Sequence, residues 1–241
     1  MLYDISAKFH QGKTNMIIGS SGTGKSVLLK TIVGLHQPDE GKVLYNDRNF
    51  YALRRDQQKK IRNEIGMLFQ GSALFDSKTV RENVMFPLDM QTDMSASEKE
   101  DRVQFCLGRV SLKNAADKMP SELSGGMKKR VGIARAIVLS SQYLFCDEPN
   151  SGLDPNTAIV IDNLIQEITH EDNLTTVIVS HDMNSMMEIG QNIVFLAEGR
   201  KVWEGTNEQV LESESQELQE FIFSNKLMRK FRSMATDGNS Q

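Results

Sequence analysis

Cysteine, tryptophan and long apolar runs are scarce in this chain of 241 residues. It has two cysteines, Cys106 and Cys146, and one tryptophan. The cysteines have no metal-binding or redox spacing, which favours two buried thiols in a reduced cytoplasmic protein. No apolar run approaches the roughly 20 residues that a membrane-spanning helix needs. The start, "MLYDISAKFHQG", lacks the charged-then-apolar layout of a signal peptide. If the protein acts at a membrane, we therefore expect another polypeptide to hold it there.

Positive charge is not in excess either. Lys and Arg number 28 against 32 Asp and Glu, which gives a formal net charge of -4. This balance argues against a nucleic-acid-binding surface as the main role, and we expect no nucleic-acid partner, although the balance leaves room for a local basic patch. A hydrophobic fraction of 39% with 25% charged residues is typical of a soluble globular chain, and the length suffices for a real core.

Short apolar runs alternate with amphipathic segments along the chain. Strands are predicted at "TNMII", "KVLYN", "IGMLF", "YLFCD", "TTVIVSH" and "NIVFLAEG". Residues 156–170 have helical spacing, and the stretch from about Thr79 to Ala116 is helical and polar, with a Ser cap in "SASEKEDRVQFCLGRV". This alternation predicts an α/β fold with a mostly parallel sheet, covered by helices on both faces, and an inserted helical subdomain.

The strongest local motif is "GSSGTGKS", which fits the phosphate-binding pattern G-x-x-x-x-G-K-[ST]. It lies between a predicted strand and a predicted helix, the context that the motif requires. Its backbone amides would surround the phosphates of ATP, Lys25 would meet the β- and γ-phosphates, and the Ser26 hydroxyl would meet Mg²⁺. The predicted nucleotide-binding residues here are Gly19, Ser20, Ser21, Gly22, Thr23, Gly24, Lys25 and Ser26.

A second group of polar residues follows predicted strands. In "YLFCDEP", Asp147 ends a buried strand and is our metal-side acid, while Glu148 is suited to polarise the attacking water. Taken alone, these acids could cap a turn, His181 could be an ordinary strand-end histidine, and Gln70 a polar residue leaving a strand. Because ligands collect at the carboxyl ends of parallel strands, we predict one shared pocket for the four residues and the phosphate loop.

A second glycine turn, "LSGGM" at residues 123–127, precedes a basic helical run. Together with Gly19–Ser26, Gln70, Asp147-Glu148, "SGLD" at 151–154 and His181, its order and spacing resemble those of an ABC-type ATPase, the nucleotide-binding subunit of a transporter. The resemblance spans nearly the whole chain. It implies a P-loop NTPase fold with a RecA-like core at about 1–75 and 140–212, a helical subdomain at about 76–139, and a C-terminal helical tail at about 213–241.

The same resemblance implies a head-to-tail homodimer with two sandwiched ATP molecules. Ser124, Gly125 and Gly126 would contact the ATP of the partner, and Asp154 would lie at the dimer seam. The implied catalytic residues are Glu148 as base, Gln70 and His181 as γ-phosphate sensors, and Lys25. The implied metal ligands are Ser26, Gln70 and Asp147. A two-fold, self-complementary interface follows from such a dimer.

Three longer stretches are similar to the ATPase subunit of MCE-type, Mla-like lipid transporters. They are "GTGKSVLLKTIVGLHQPDEG", "LFQGSALFDSKTVRENVMFPL" and "MPSELSGGMKKRVGIARAI". Val27, placed at the nucleotide site, stands where most ABC importers have Thr. This similarity implies a membrane permease docked on residues 70–90, an MCE-type substrate-binding protein in the complex, and a peripheral position on the cytoplasmic face of the inner membrane. Alternatively, part of the 70–90 segment packs on its own core.

The expected function is ATP hydrolysis that powers a permease in phospholipid transport between membranes. One alternative is an ABC subunit for a small solute. The other is a non-transport ABC ATPase, disfavoured by the single cassette, the lack of a heptad run and the negative charge.

Two ends of the sequence are harder to interpret. The resemblance implies an upstream strand with an aromatic residue on adenine, but "MLYDIS" aligns with the following strand and Tyr3 lies too close to the loop. Either the sequence starts inside a longer gene or adenine is held weakly, and the base-stacking residue is unassigned.

In the C-terminal tail, Leu218, Phe221 and Ile222 precede a basic stretch, 226–232. We expect a docked final helix with a solvated basic face, and the alternative is a membrane or partner helix.

Overall fold

The computed structural model describes residues 1–223, and its centre is a six-stranded sheet. The strands of this sheet are β1 (Thr14–Ile18), β4 (Ile65–Leu68), β5 (Tyr143–Asp147), β6 (Thr175–Ser180), β7 (Asn192–Ala197) and β8 (Arg200–Gly205). They lie in the order β4-β5-β6-β1-β7-β8; the first five are parallel, and β8 is antiparallel to β7. The predicted mostly parallel sheet is confirmed.

Eight α-helices are found in the described part of the chain. They are α1 (Lys25–Ile32), α2 (Arg55–Asn63), α3 (Val80–Gln91), α4 (Ala96–Arg109), α5 (Gly125–Ile137), α6 (Pro155–Glu171), α7 (Met183–Ile189) and α8 (Gln216–Ile222). The predicted Ser cap is confirmed, since the Ser95 hydroxyl accepts from the backbone N–H of Glu98 at the start of α4. Among residues 1–223, no helix combines the length and the apolar character needed to cross a membrane.

Both faces of the sheet are buried, because successive side chains of each parallel strand enter different apolar clusters. In β5, Leu144 and Cys146 lie in one cluster while Tyr143 and Phe145 lie in the other. Helices α3 to α8 all contribute to the first cluster, and α1 and α2 contribute to the second. Double burial explains why "YLFCD" is a continuous apolar run rather than an alternating one.

The two cysteines lie inside these clusters. Cys106 of α4 and Cys146 of β5 are buried, unpaired thiols. Burial raises the pKa of the Cys106 thiol to about 11 and that of Cys146 to about 12, so both stay protonated at neutral pH. The prediction of two buried thiols is confirmed.

Two strand predictions need correction. "KVLYN" yields only β2 (Leu44–Tyr45), which pairs with β3 (Arg48–Asn49) in a separate antiparallel ribbon outside the central sheet. "MLYDIS" contains no strand. Tyr3 there donates its backbone N–H to Gly199 O at 2.9 Å, and the Arg200 guanidinium lies 5.1 Å from its ring centroid. Without a neighbouring strand to pair with, this segment packs on the β7–β8 turn, and the adenine-stacking residue stays unassigned.

The start of the C-terminal tail docks as predicted. Leu218 and Ile222 of α8 are buried, and the Phe221 ring packs on Phe195 of β7 with 5.3 Å between centroids. The basic stretch 226–232, on which the alternative of a membrane or partner helix depends, lies outside the described residues.

Candidate functional site

The predicted phosphate loop, residues 19–26, joins β1 to α1 at the carboxyl edge of the sheet. Gly22 and Gly24 have φ values of 82° and 98°, which L side chains rarely adopt. A Cβ atom on Gly24 would also lie 2.4 Å from a methyl carbon of Leu2. Gly24 begins α1 without a side-chain cap, so no side chain of the cap residue covers the first amides of the helix. Such amides suit an anion.

Lys25 places its ammonium inside this loop. The residue is only 6% exposed, and Nζ donates to the carbonyls of Gly19 at 2.8 Å and Ser20 at 2.9 Å. Burial lowers the pKa of Lys25, while the nearby carboxylates of Glu148 and Asp147 act in the opposite direction. The loop and the two predicted acids are therefore close enough to share one electrostatic environment.

Asp147 and Ser26 meet across the site. Asp147 ends β5, is 8% exposed, and accepts a hydrogen bond from the Ser26 hydroxyl at 3.1 Å. No cluster of three or more His, Cys, Asp or Glu side chains able to hold a metal exists within residues 1–223. A carboxylate with a hydroxyl suits Mg²⁺, which takes few protein ligands and completes its shell with phosphate oxygens and water. The residues present fit Mg²⁺ brought in with a nucleotide.

Glu148 turns away from Asp147 to meet His181. Its φ of 49° is left-handed, which is uncommon for a residue with a side chain, and its N–H donates to Val179 O at 2.9 Å. Both carboxylate oxygens lie near His181 Nδ1, at 2.9 and 2.8 Å. The Glu148 side chain is 13% exposed and that of His181 is 61% exposed. One acid thus faces the loop and the other faces a solvent-accessible imidazole.

Gln70 reaches the same edge of the sheet but contacts a different partner. Its side-chain amide donates to the Ser151 hydroxyl at 3.4 Å, a long hydrogen bond to the turn before α6. Among residues 1–223, its side chain forms no hydrogen bond with Ser26 or Asp147. The structure therefore brings together the phosphate loop, Asp147, Glu148 and His181, and places Gln70 beside them with its amide directed at Ser151.

The second glycine turn lies apart from the phosphate loop. Ser124 caps α5, and its hydroxyl accepts from the Met127 N–H at 3.3 Å. Within the described chain, no hydrogen bond joins residues 124–126 to residues 19–26. Instead the turn packs on α6, since a Cβ on Gly126 would lie 2.5 Å from a methyl carbon of Thr157, and one on Gly125 would lie 3.3 Å from Leu153.

Asp154 belongs to this second surface. It caps α6 by accepting from the Thr157 N–H at 3.0 Å and from the Thr157 hydroxyl at 2.5 Å. These hydrogen bonds lower the pKa of Asp154. Ser124, Gly125 and Asp154 are all exposed. The starts of α5 and α6 therefore form one exposed surface, away from the loop of the same chain.

Val27, which the sequence placed at the nucleotide site, lies in the first turn of α1 and is 48% exposed.

Sequence reasoning missed Lys129 and Ser151. Lys129 was given no role beyond its place in the basic helical run after "LSGGM", but it is 4% exposed. Its ammonium contacts Gln70 O and, at 3.1 Å, Glu148 O. Helical spacing could have revealed it, because Gly126 and Ile133, three positions before and four after it, are also buried.

Comparison with known proteins assigns the family. The family model described as "ABC transporter" matches residues 2–151. The chain belongs to the ABC transporter family. It is an ATP-binding cassette, the ATPase component of such a transporter.

The cassette is similar to ATP-binding proteins of two different transport systems. It is 38% identical over 227 residues to the methionine import ATP-binding protein MetN of Latilactobacillus sakei, with 94% of this chain and 66% of that one covered. It is 36% identical over 223 residues to the intermembrane phospholipid transport system ATP-binding protein MlaF of Haemophilus influenzae, with 92% and 84% covered. The cassette thus spans just under two thirds of the length of this MetN.

A solved structure supports the fold. The cassette matches the ATP-binding cassette MJ0796, a dimer in a post-hydrolysis state bound to ADP and Pi, with a TM-score of 0.77 and 34% identity. The match covers 86% of this chain and 90% of that one. The predicted fold class is confirmed.

Proposed function

We propose that the cassette binds Mg–ATP in a head-to-tail homodimer, in which the phosphate loop of one protomer and the Ser124 turn of the other hold the same nucleotide. The observation that carries the proposal is the separation of two surfaces suited to phosphate within one chain. The loop at 19–26 and the turn at 124–126 share no hydrogen bond, and the turn is exposed beside Asp154. The dimeric MJ0796 structure supports this arrangement.

The site residues then divide the hydrolysis between them. Lys25 and the loop amides neutralise and orient the phosphates, while Ser26 and Asp147 would hold Mg²⁺, whose positive charge offsets the charge on the phosphate oxygens. Glu148 accepts the proton of the attacking water. Because Nδ1 of His181 is hydrogen-bonded to the Glu148 carboxylate, Nε2 of the same ring can contact the γ-phosphate or water. The Gln70 amide is hydrogen-bonded to Ser151, so Gln70 would become a ligand of Mg²⁺ only after its side chain adopts another rotamer.

We also propose that the cassette docks on a membrane permease through residues 70–90. Phe75 and Met90 of this segment are 39% and 66% exposed, and Phe75 packs on Phe86 with 4.7 Å between ring centroids. The alternative of packing on its own core accounts for Val84 and Leu88, which are buried. The exposed apolar side chains remain for a partner. The permease would hold the cassette on the cytoplasmic face of the inner membrane.

For the cargo, we propose phospholipid moved between membranes with an MCE-type partner. The support is the MlaF relative, of which the cassette covers 84%, together with the Mla-like stretches after Gly22, after Leu68 and around Ser124. The second candidate is import of a small solute, which the MetN relative favours at 38% identity. Which of the two operates depends on the permease.

Co-purification of the permease tests both the proposed docking surface and the proposed phospholipid cargo. From detergent-solubilised membranes, we expect the tagged cassette to bring down a permease and an MCE-type protein. A charge at an exposed apolar contact is costly to bury, so Met90→Glu should reduce the yield at least about tenfold. Leu211→Glu, a change at another exposed apolar residue, should leave it unchanged. Recovery of a permease with a solute-binding protein would replace the lipid proposal. Equal recovery with Met90→Glu would move the docking surface elsewhere.

A further inference from the structure

Lys129 is a buried cation between two loops of the site. Its Nζ donates to the backbone carbonyls of Gln70 and Glu148, the latter at 3.1 Å, and the residue is 4% exposed. Among the described residues it forms no ion pair. Two carbonyl groups from different strand ends therefore converge on one ammonium group.

Packing alone does not account for a lysine at this position. Burying an ammonium group costs free energy unless hydrogen bonds replace its water, and lysine is seldom buried without an acidic partner. A methionine of similar length would fill the same space between α5 and the loops without that cost. What the ammonium adds is a fixed link to two main-chain carbonyls.

The link joins three functional parts of the cassette. Lys129 lies five positions after Ser124, whose hydroxyl caps α5. Gln70 begins the segment that leads to the proposed permease surface, and Glu148 is the proposed base. A rigid helix transmits a shift of its first turn to Lys129, and the two hydrogen bonds pass the shift to both carbonyls.

Arg135 strengthens the attachment of α5 to the segment after Gln70. Its guanidinium donates to Ser72 O at 2.6 Å and to Ala73 O at 2.8 Å. Ser72 and Ala73 both have left-handed φ values, 61° and 46°, which need support from outside the segment. The segment and α5 are thus held together at two places, of which only the Lys129 contact also includes Glu148.

We propose that Lys129 is a positioning residue for hydrolysis: it ties the main chain of Glu148 and Gln70 to α5, so that the alignment of the base depends on the position of the helix whose start faces the partner's nucleotide. This inference rests on the proposed role of Glu148. The side chain of Glu148 is already oriented by His181, and Lys129 fixes its backbone from the opposite direction. Without the link, Glu148 keeps its chemistry but loses its alignment.

The test compares Lys129→Met, Lys129→Arg and the neighbouring control Lys128→Met. Lys128 is on the same helix, is half-buried, and its side chain forms no hydrogen bond or ion pair within the described residues. Since alignment matters to the transition state more than to ATP binding, Lys129→Met should lower kcat at least about tenfold with KM for ATP within about twofold. Lys129→Arg, which retains donors and charge, should recover most of kcat. Lys128→Met should match the wild type.

An unchanged kcat in Lys129→Met, an equal loss in Lys129→Arg, or a rise in KM matching the fall in kcat would overturn the inference. If Lys129→Met does not fold, as judged by its melting transition, Lys129→Gln is assessed by the same criteria. Glu148→Gln is assayed in parallel. If that variant hydrolyses ATP at the wild-type rate, the proposed role of Glu148 as base fails, and the inference fails with it; if it is inactive while Lys129→Met is normal, only the inference fails.

Discussion

Replacing Glu148 by Gln should lower the ATPase rate at least about 100-fold, the usual size of a general-base contribution. Gln has the same shape as Glu and can still contact His181, but it cannot accept a proton from water. ATP binding should persist, because the loop and Lys25 are untouched. The measurement is steady-state hydrolysis beside equilibrium ATP binding, with Glu208→Gln, an exposed acid far along the sequence, as the matched control.

In the presence of ATP, Glu148→Gln should accumulate as a dimer, which elutes earlier than the monomer in size-exclusion chromatography. Binding without hydrolysis leaves the closed state populated. If Glu148→Gln hydrolyses ATP at the wild-type rate, Glu148 is not the base and the water must be activated by another group.

Replacing Lys25 by Met should act on binding first. Lys25 is the cation inside the phosphate loop, and its ammonium can exchange the carbonyls of Gly19 and Ser20 for phosphate oxygens. Charged hydrogen bonds are worth about 1.5–3 kcal/mol, so affinity for ATP should fall by about tenfold to a hundredfold, with hydrolysis reduced further.

Lys30→Met is the matched control for this change, since Lys30 lies in the last turn of the same helix. Titration with a fluorescent ATP analogue gives both affinities. Equal affinity in Lys25→Met and the wild type would show that the loop does not hold the nucleotide through this side chain.

Much of the fold was predictable because strands that are buried on both faces of the sheet are mostly apolar throughout. The predicted strands "TNMII" and "YLFCD" match β1 and β5 residue for residue, and "TTVIVSH" extends one residue beyond β6. The edge strand β8 was missed, since it is antiparallel and only partly buried and so has a mixed pattern. "MLYDIS" was wrong as a strand because a strand depends on a neighbour, which no local pattern reveals.

The sequence predicted which residues gather at the site better than it predicted the contacts that these residues make. The motif spacing identified the loop, Asp147, Glu148 and His181, and parallel strands bring them to one edge. The partner of the Gln70 amide depends on the turn around Ser151, and the burial of Lys129 depends on how α5 packs. Both are tertiary details that residue type does not encode, and lysine is ordinarily read as exposed.

The central claim is that two chains build each ATP site, and mixing two inactive variants tests it most directly. Lys25→Met damages the loop half. Ser124→Asp keeps the cap of α5, since Asp is a good N-cap, but sets a negative charge against the partner's phosphates. Ser95→Asp, at the cap of α4, is the matched control and should be active alone.

If the sites are shared, a mixed dimer contains one site with both defects and one intact site. With random pairing, the mixture should recover roughly a quarter of the wild-type sites, and hence ATPase activity that neither variant shows alone. Activity equal to the average of the two separate variants, in a mixture shown to contain mixed dimers, would mean that each chain builds its own site and would contradict the account.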